Sequence, residues 1–215
     1  MIQEVGTAVE AVSRRVASSH QQKNQKSLLS ERSIRELPYR RQGPDGYQNC
    51  TWEGMNNPGK VAEAIGEQAR KGVVCPRWPV FIYGPVGTGK SGIAAVLYRI
   101  ASSAIWRRAD TFLLDLSTGR GDGKYQQEMA KIESTHVLVL DDLGTRKPSE
   151  GMFHMLFDIL ERRKAKMTVI TSNHSPEELK AVYEDGRIYS RLVGGTPLVC
   201  GGADRRLSDP RRFVV

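Results

Sequence analysis

The chain has 215 residues, of which 39% are hydrophobic, enough to close one core. Lysine and arginine number 32 against 24 acidic residues, so the net charge of +8 fits either a soluble surface or a polyanionic partner. No run approaches the ~18 apolar residues of a membrane span, and the first 15 residues lack the apolar segment of a secretory signal. Cys50, Cys75 and Cys200 are too widely spaced for a zinc motif or a disulfide framework, so we expect a cytoplasmic protein without a membrane partner.

The first 46 residues differ in composition from the rest of the chain. They are rich in serine, glutamine, lysine and arginine, and they show little apolar periodicity beyond a short helical pattern at residues 5–16. We predict a basic N-terminal arm over residues 1–46, either a partner-binding segment or a disordered terminus. A single globular domain is predicted over residues 47–215.

Apolar strands alternate with amphipathic helices through the globular part. Strands are predicted at residues 79–83, 111–116, 137–141, 167–171 and 197–200. Helices are predicted at residues 57–72, 89–106, 122–132, 149–164 and 187–193, with a further helix capped by Ser175. The alternation predicts a three-layer α/β fold with a mostly parallel five-stranded sheet.

A phosphate-binding motif, G-x-x-x-x-G-K-[ST], follows the first predicted strand. Its glycines let backbone N–H groups approach phosphate oxygens in front of a helix N-terminus. We expect an exposed Lys90 to reach the β- and γ-phosphates of ATP, and Ser91 to ligate Mg²⁺. The predicted ATP-binding residues are Gly84, Pro85, Val86, Gly87, Thr88, Gly89, Lys90 and Ser91.

Polar residues end the two central strands of the prediction. Asp141 and Asp142 follow an apolar run, and Asn173 ends the next strand. Because parallel strands deliver their carboxyl ends to one edge, these side chains should face the phosphate loop. We predict that Asp141 holds Mg²⁺, that Asp142 polarises the attacking water, and that Asn173 faces the γ-phosphate.

The ordered set of motifs resembles the AAA+ ATPases, and more narrowly the DnaC-type helicase loaders and their IstB transposition relatives. The resemblance extends over residues 35–206 and includes LDDLG at 140–144, TSN at 171–173 and GRIYSRL at 186–192. The segments at 35–40 and 47–52 are similar to the entry segment of that clade. The clade places an extra DNA-facing helix after residue 116, where this sequence looks short, with Arg120 and Lys124 as candidate phosphate contacts.

The resemblance assigns roles to further residues. Asn173 matches sensor 1, and Arg191 matches the arginine finger given to a neighbouring subunit's ATP, with Arg187 as second choice. Arg206 matches sensor 2 better than the adjacent Arg205 does. The resemblance also puts Cys50, Thr51 and Trp52 near the adenine. Trp52 could equally be a core aromatic.

The function that the resemblance implies is ATP binding and hydrolysis by subunits that self-associate through their ATP sites. Such a protein would assemble on single-stranded DNA and help load a replicative helicase during DNA replication, or, as an IstB-like ATPase, assist a transposase. Two readings of another class stay open, a P-loop nucleotide kinase and an ATP-binding module without hydrolysis. Against a kinase, the sequence shows no evident acceptor pocket or arginine-bearing lid.

Overall fold

The computed structural model describes residues 38–54, 78–119, 123–184 and 186–205. Its strands are β1 (Val80–Tyr83), β2 (Ala104–Arg108), β3 (Val137–Leu143), β4 (Met167–Ser172) and β5 (Thr196–Val199). Within the described ranges, these strands form one parallel sheet in the order β2-β3-β4-β1-β5. Its helices are α1 (Lys90–Ile100), α2 (Ala109–Thr118), α3 (Lys124–Ser134), α4 (Glu150–Arg162), α5 (Pro176–Tyr183) and α6 (Gly186–Gly194).

Helices cover both faces of the sheet, which accounts for the continuous apolar runs of the central strands. Successive strand residues point to opposite faces. Val80, Ile82 and Val139 pack in one buried cluster with residues of α1. Phe81 and Leu140 belong to a second cluster with residues of α2 to α6. The three-layer α/β architecture predicted from the sequence is therefore confirmed.

The second strand of the prediction is wrong, because residues 111–116 form part of helix α2. Phe112 and Leu116 are buried, whereas Thr111 and Asp115 are exposed, which is a helical spacing rather than alternation. The true second strand is β2, whose first three residues, 104–106, the prediction gave to the end of a long helix; that helix stops at Ile100. Among the described strands, β2 pairs with β3 alone; it is half-buried, so it lacks the apolar run of an inner strand.

Two helices, α2 and α3, lie between β2 and β3. The expectation of a shortened segment after residue 116 depended on the wrongly placed strand, and the structure does not support it. Lys124 begins α3, whereas Arg120 lies outside the described residues.

The described chain makes tertiary contacts from Tyr39 onward, within the segment predicted to be an arm. The Arg40 amide donates to the Arg99 carbonyl at 2.8 Å, and Arg41 Nη2 donates to the Ala101 carbonyl at 2.9 Å. The Arg99 guanidinium lies 4.1 Å from the centroid of the Tyr39 ring. These contacts attach residues 39–41 to the C-terminal end of α1.

Several further sequence predictions fall outside the described residues: residues 1–37 of the basic arm, the helices at 5–16 and 57–72, and the assignment of Arg206 to sensor 2. Among the helices that the structure does describe, none has the length and apolar character needed to cross a membrane.

Candidate ATP site

The phosphate-binding loop joins β1 to α1, as the motif predicts. Gly84, Gly87 and Gly89 have φ angles of 140°, 79° and 95°, a region that residues with a Cβ rarely adopt. The Thr88 hydroxyl donates to the Pro85 carbonyl at 2.9 Å across the loop. The glycines therefore produce the tight turn that brings the loop backbone to the start of α1.

The segment after β5 packs against the phosphate-binding loop. The Cys200 amide donates to the Tyr83 carbonyl at 2.7 Å, and a Cβ on Gly84 would collide with the Cys200 carbonyl. The Arg205 amide donates to the Gly87 carbonyl at 3.0 Å, and a Cβ on Gly87 would meet the side chain of Asp204. Gly84 is thus needed for close packing as well as for its φ angle, whereas at Gly87 the Asp204 side chain can move aside and the φ angle is the requirement.

Lys90 differs from the exposed side chain that we expected, because it is only 8% exposed. Its ammonium group donates to the carbonyls of Gly84 and Pro85 at 2.9 and 2.7 Å. The loop itself therefore holds the charge of Lys90 beside the phosphate-binding surface.

Ser91 and Asp141 meet across the site, although 50 residues separate them in the chain. The Ser91 hydroxyl donates to Asp141 Oδ1 at 2.8 Å, and the Thr171 hydroxyl donates to the same oxygen at 2.6 Å. Burial raises the pKa of the Asp141 carboxyl above its ordinary value, and the two hydrogen bonds partly oppose that shift. A carboxylate and a hydroxyl converging in this way are oxygen donors of the kind that Mg²⁺ prefers, so these residues fit the predicted ion.

A β-bulge in β3 sets the direction of Asp142. The register with β4 gains one residue between Leu140 and Leu143, and Asp142 has a φ of 65°. In a regular strand Asp141 and Asp142 would point to opposite faces, yet both line the same cleft here.

Two side chains hold the Asp142 carboxylate. Arg108 Nη2 lies 3.2 Å from Asp142 Oδ2, and Asn173 Nδ2 donates to Oδ1 at 3.4 Å. The Thr171 hydroxyl also accepts the Asp142 amide at 2.8 Å. Asp142 and Asn173 therefore lie together, as the sequence predicts, and Arg108 is an addition from the end of β2.

The loop after β3 is fixed by Asp110, a buried residue in the first turn of α2. Its carboxylate accepts from the Gly144 amide, the Arg146 amide and the Thr145 hydroxyl at 3.1, 2.8 and 2.8 Å. Asp110 thereby anchors the chain directly beyond the two acidic residues.

Asp141, Asp142, Thr171 and Asn173 line a cleft of about 910 Å³. Of the predicted loop residues, its lining includes Val86, Gly87, Gly89, Lys90 and Ser91, but not Gly84, Pro85 or Thr88. The lining also includes two of the residues that the resemblance puts near the adenine, Cys50 and Thr51, together with Tyr47 and Trp106.

Trp52 is 2% exposed and packs in the core, so it is a core aromatic rather than a cleft residue. Arg205 also lines the cleft, although the sequence favoured Arg206. Arg108 and Trp106 carry no recognisable motif, so neither spacing nor composition could have found them. Tyr47 and Arg205 lie in segments to which the resemblance pointed, the entry segment at 47–52 and the position next to Arg206.

Arg187 and Arg191 lie on α6 and are not among the described residues that line the cleft. The guanidinium of Arg191 pairs with Glu161 of α4 at 2.5 Å and lies 4.1 Å from the centroid of the Phe157 ring. Arg187 lies 5.0 Å from the Phe153 and Phe157 ring centroids. Neither arginine is placed beside the phosphate loop of its own chain.

Solved structures similar to this one come from replication proteins. A replication initiator DnaA bound to AMPPCP and single-stranded DNA matches with a TM-score of 0.62 and 23% identity, over 74% of this chain and 52% of that one. A DnaC helicase loader matches with a TM-score of 0.59 and 18% identity, over 74% of this chain and 100% of that one. At these identities the likeness establishes the fold, which is the P-loop AAA+ fold.

Sequence comparison adds relatives encoded by insertion sequences. A putative ATP-binding protein of insertion sequence IS1162 from Pseudomonas fluorescens is 28% identical over 104 residues, which are 46% of this chain and 45% of the relative. The chain spans less than half the length of the curated relatives it matches first. The family model for IstB-like ATP binding proteins matches residues 73–194, more than half of the chain. With its phosphate loop and paired aspartates in one cleft, the chain belongs to the IstB-like family of AAA+ ATP-binding proteins.

Proposed function

We propose that this protein is a Mg²⁺-dependent ATPase whose subunits share ATP sites, assemble on single-stranded DNA and act on a DNA-handling partner. The observation that carries the proposal is the meeting of Ser91, Asp141 and Thr171 at one end of the phosphate loop, with Asp142 beside them. A passive ATP-binding site needs only Ser91, Asp141 and Thr171, whereas hydrolysis also needs an acidic residue, here Asp142, near the attacking water.

The residues divide the chemistry between them. Ser91 and Asp141 would hold Mg²⁺, which neutralises charge on the phosphate oxygens. Lys90 binds the phosphates, and Asp142 orients the attacking water while Asn173 keeps that carboxylate turned toward the cleft. A second positive charge is required as charge develops on the γ-phosphate, and we assign it to Arg191 of a neighbouring subunit, with Arg187 as the second choice.

Two partner classes follow from the relatives. The DnaC-like fold supports a replicative helicase as partner. A transposase is the second candidate, favoured by the family match and by the relatives from insertion sequences. Single-stranded DNA is supported by the DnaA structure, which holds that ligand with an ATP analogue.

Binding of a labelled oligonucleotide tests the DNA part of the proposal. We expect the unaltered chain to bind it only with a slowly hydrolysed ATP analogue, and to bind less as salt rises, because phosphate contacts release counterions. Lys90→Ala should not bind under either condition. Equal binding with and without nucleotide would contradict ATP-dependent assembly on DNA.

Hydrolysis is tested with Asp142→Asn, which suits the positive φ angle and keeps an oxygen for Arg108. This variant should bind ATP normally and hydrolyse it at least about 100-fold more slowly. Unchanged turnover would remove Asp142 from the mechanism. Capture of purified helicase or purified transposase on the immobilised protein, with and without ATP, then separates the two partners.

A further inference from the structure

The contact between α4 and α6 fixes the side chain of Arg191. Glu161, in the last turn of α4, uses one oxygen, Oε1, to accept from Arg191 Nε at 2.9 Å and from Nη2 at 2.5 Å. The side chain of Arg191 is 27% exposed and that of Glu161 is 42% exposed. The pair therefore lies at the surface, where a neighbouring molecule can reach it.

Two further contacts restrict the same guanidinium. The Phe157 ring centroid, one turn before Glu161 on α4, lies 4.1 Å from the Arg191 Cζ atom. Arg191 Nη1 donates to the Arg187 carbonyl at 3.1 Å, one turn earlier on α6. The Nε–Nη2 edge, one face and the Nη1 nitrogen of the planar group are thus held by the protein.

The donor count shows what remains for a ligand. A guanidinium has five N–H groups, and the contacts with Glu161 and Arg187 account for three of them. The other two, one on each terminal nitrogen, donate to no acceptor among the described residues, and this pair, which we call the outer fork, is left to donate to phosphate oxygens. A fork already held in one orientation loses less rotamer freedom on binding than a mobile side chain.

We propose that Glu161 is a positioning residue for Arg191, which holds the guanidinium so that its outer fork is presented to the ATP of a neighbouring subunit. This inference rests on the proposed sharing of ATP sites. It extends that function by naming a second residue that determines hydrolysis in the neighbour. Glu161 lies on a different helix from Arg191 and is not among the described residues that line the subunit's own cleft.

Steady-state ATP hydrolysis by the full chain tests the inference. Glu161→Ala should lower kcat by about tenfold and leave the Kd for ATP unchanged, because it affects only the arginine given to the neighbour. Glu161→Gln should recover most of the loss, because a single oxygen accepts both hydrogen bonds and the amide keeps one. The double variant with Arg191→Ala should be no slower than Arg191→Ala alone.

Glu133→Ala is the matched control. Arg162 lies on the same helix as Glu161, α4, and pairs with Glu133, whose side chain is 40% exposed. Removing Glu133 therefore also breaks a surface ion pair of α4. This control should keep the unaltered kcat. Equal losses in Glu133→Ala and Glu161→Ala would show a general effect on α4 and overturn the inference.

The remaining outcomes separate this inference from the function beneath it. Faster hydrolysis by Glu161→Ala would make Glu161 a restraint rather than a positioning residue, and would overturn the inference. A loss in Arg191→Ala with none in Glu161→Ala would overturn the inference alone. Unchanged hydrolysis in Arg191→Ala would overturn both the inference and the proposed role of Arg191.

Discussion

Asp141 shows how a site residue can oppose the stability of its own fold. Burial raises the pKa of its carboxyl above the ordinary value of 3.8, so the folded state holds the proton more tightly than the unfolded chain does. Its contribution to stability is therefore greatest below pH 3.8 and falls as the pH rises toward the raised pKa. Ionisation of this buried carboxyl above its raised pKa therefore carries a cost in stability for the ligand-free protein.

Asp141→Asn should therefore leave the ligand-free protein as stable as before, or more stable, at pH 7. The amide oxygen keeps the hydrogen bonds from Ser91 and Thr171, while the buried charge is removed. Mg²⁺-dependent ATP binding should be lost, since a carboxylate ligand is missing. Thermal unfolding with and without Mg-ATP measures both effects. A large fall in Tm without ligand would show that the negative charge stabilises the fold.

At the residue scale the sequence predicted those parts of the site that form continuous motifs. The phosphate loop, Asp141, Asp142 and Asn173 are brought together because parallel strands end at one edge. Arg108 could not be predicted, since it reaches the cleft from the end of β2, a segment without a motif, whereas Arg205 adjoins the residue that the resemblance favoured for sensor 2. The bulge that turns Asp142 could not be predicted from the sequence either, because its position depends on the pairing of β3 with β4.

At the element scale, Arg163 joins the ends of three elements. It follows α4, is 1% exposed, and donates to the Thr135 carbonyl beyond α3, the His136 carbonyl before β3 and the Met167 carbonyl of β4. Burial lowers the pKa of its guanidinium to about 10, so the group stays charged at neutral pH. Backbone carbonyls, rather than a carboxylate, stabilise this charge.

Arg163→Met should destabilise the protein by at least about 3 kcal/mol, because several buried carbonyls would lose their donors at once. Arg162→Met is the neighbouring control, since Arg162 is 45% exposed and forms surface ion pairs worth less than about 1 kcal/mol. Urea unfolding at constant pH measures both variants. A similar midpoint for the two would show that the Arg163 hydrogen bonds only balance its burial.

The sequence predicted most elements but exchanged a strand for a helix around residues 104–116. An edge strand with one neighbour needs no apolar run, so β2, with two arginines, gave no strand signal. Helix α2 has two buried residues side by side, Phe112 and Leu113, which imitate a buried strand over a short window. Only the pairing with β3, a long-range contact, resolves the ambiguity.

For the whole molecule, the excess of positive charge is not concentrated in the cleft. Three basic residues, Lys90, Arg108 and Arg205, line it together with three acidic residues, Asp45, Asp141 and Asp142. The surplus of +8 therefore lies elsewhere in the chain. Arg191, by contrast, pairs with Glu161 of α4 and is not among the described residues that line the cleft, which is why we propose that it serves a neighbour's ATP site.

Mixing two inactive variants tests whether the ATP site is shared. Arg191→Ala should keep its ATP affinity, because Arg191 is not part of the described cleft lining, but should lose hydrolysis by about a thousandfold. Lys90→Ala should lose ATP binding while keeping its own Arg191. In a mixture, Lys90→Ala subunits can supply Arg191 to ATP bound by the Arg191→Ala subunits.

The mixture should therefore hydrolyse ATP faster than either variant alone at the same total concentration, with turnover rising as the assembly forms. Mixing Arg162→Ala with Lys90→Ala provides the control, because Arg162 is a surface arginine of α4 paired with Glu133 and should keep full activity alone. An additive rate in the Arg191→Ala mixture would mean that each subunit completes its own site. That result would favour an enzyme with its arginine in the same chain, as in a kinase. If no sample hydrolysed ATP, including the unaltered chain, the protein would be a passive ATP-binding module.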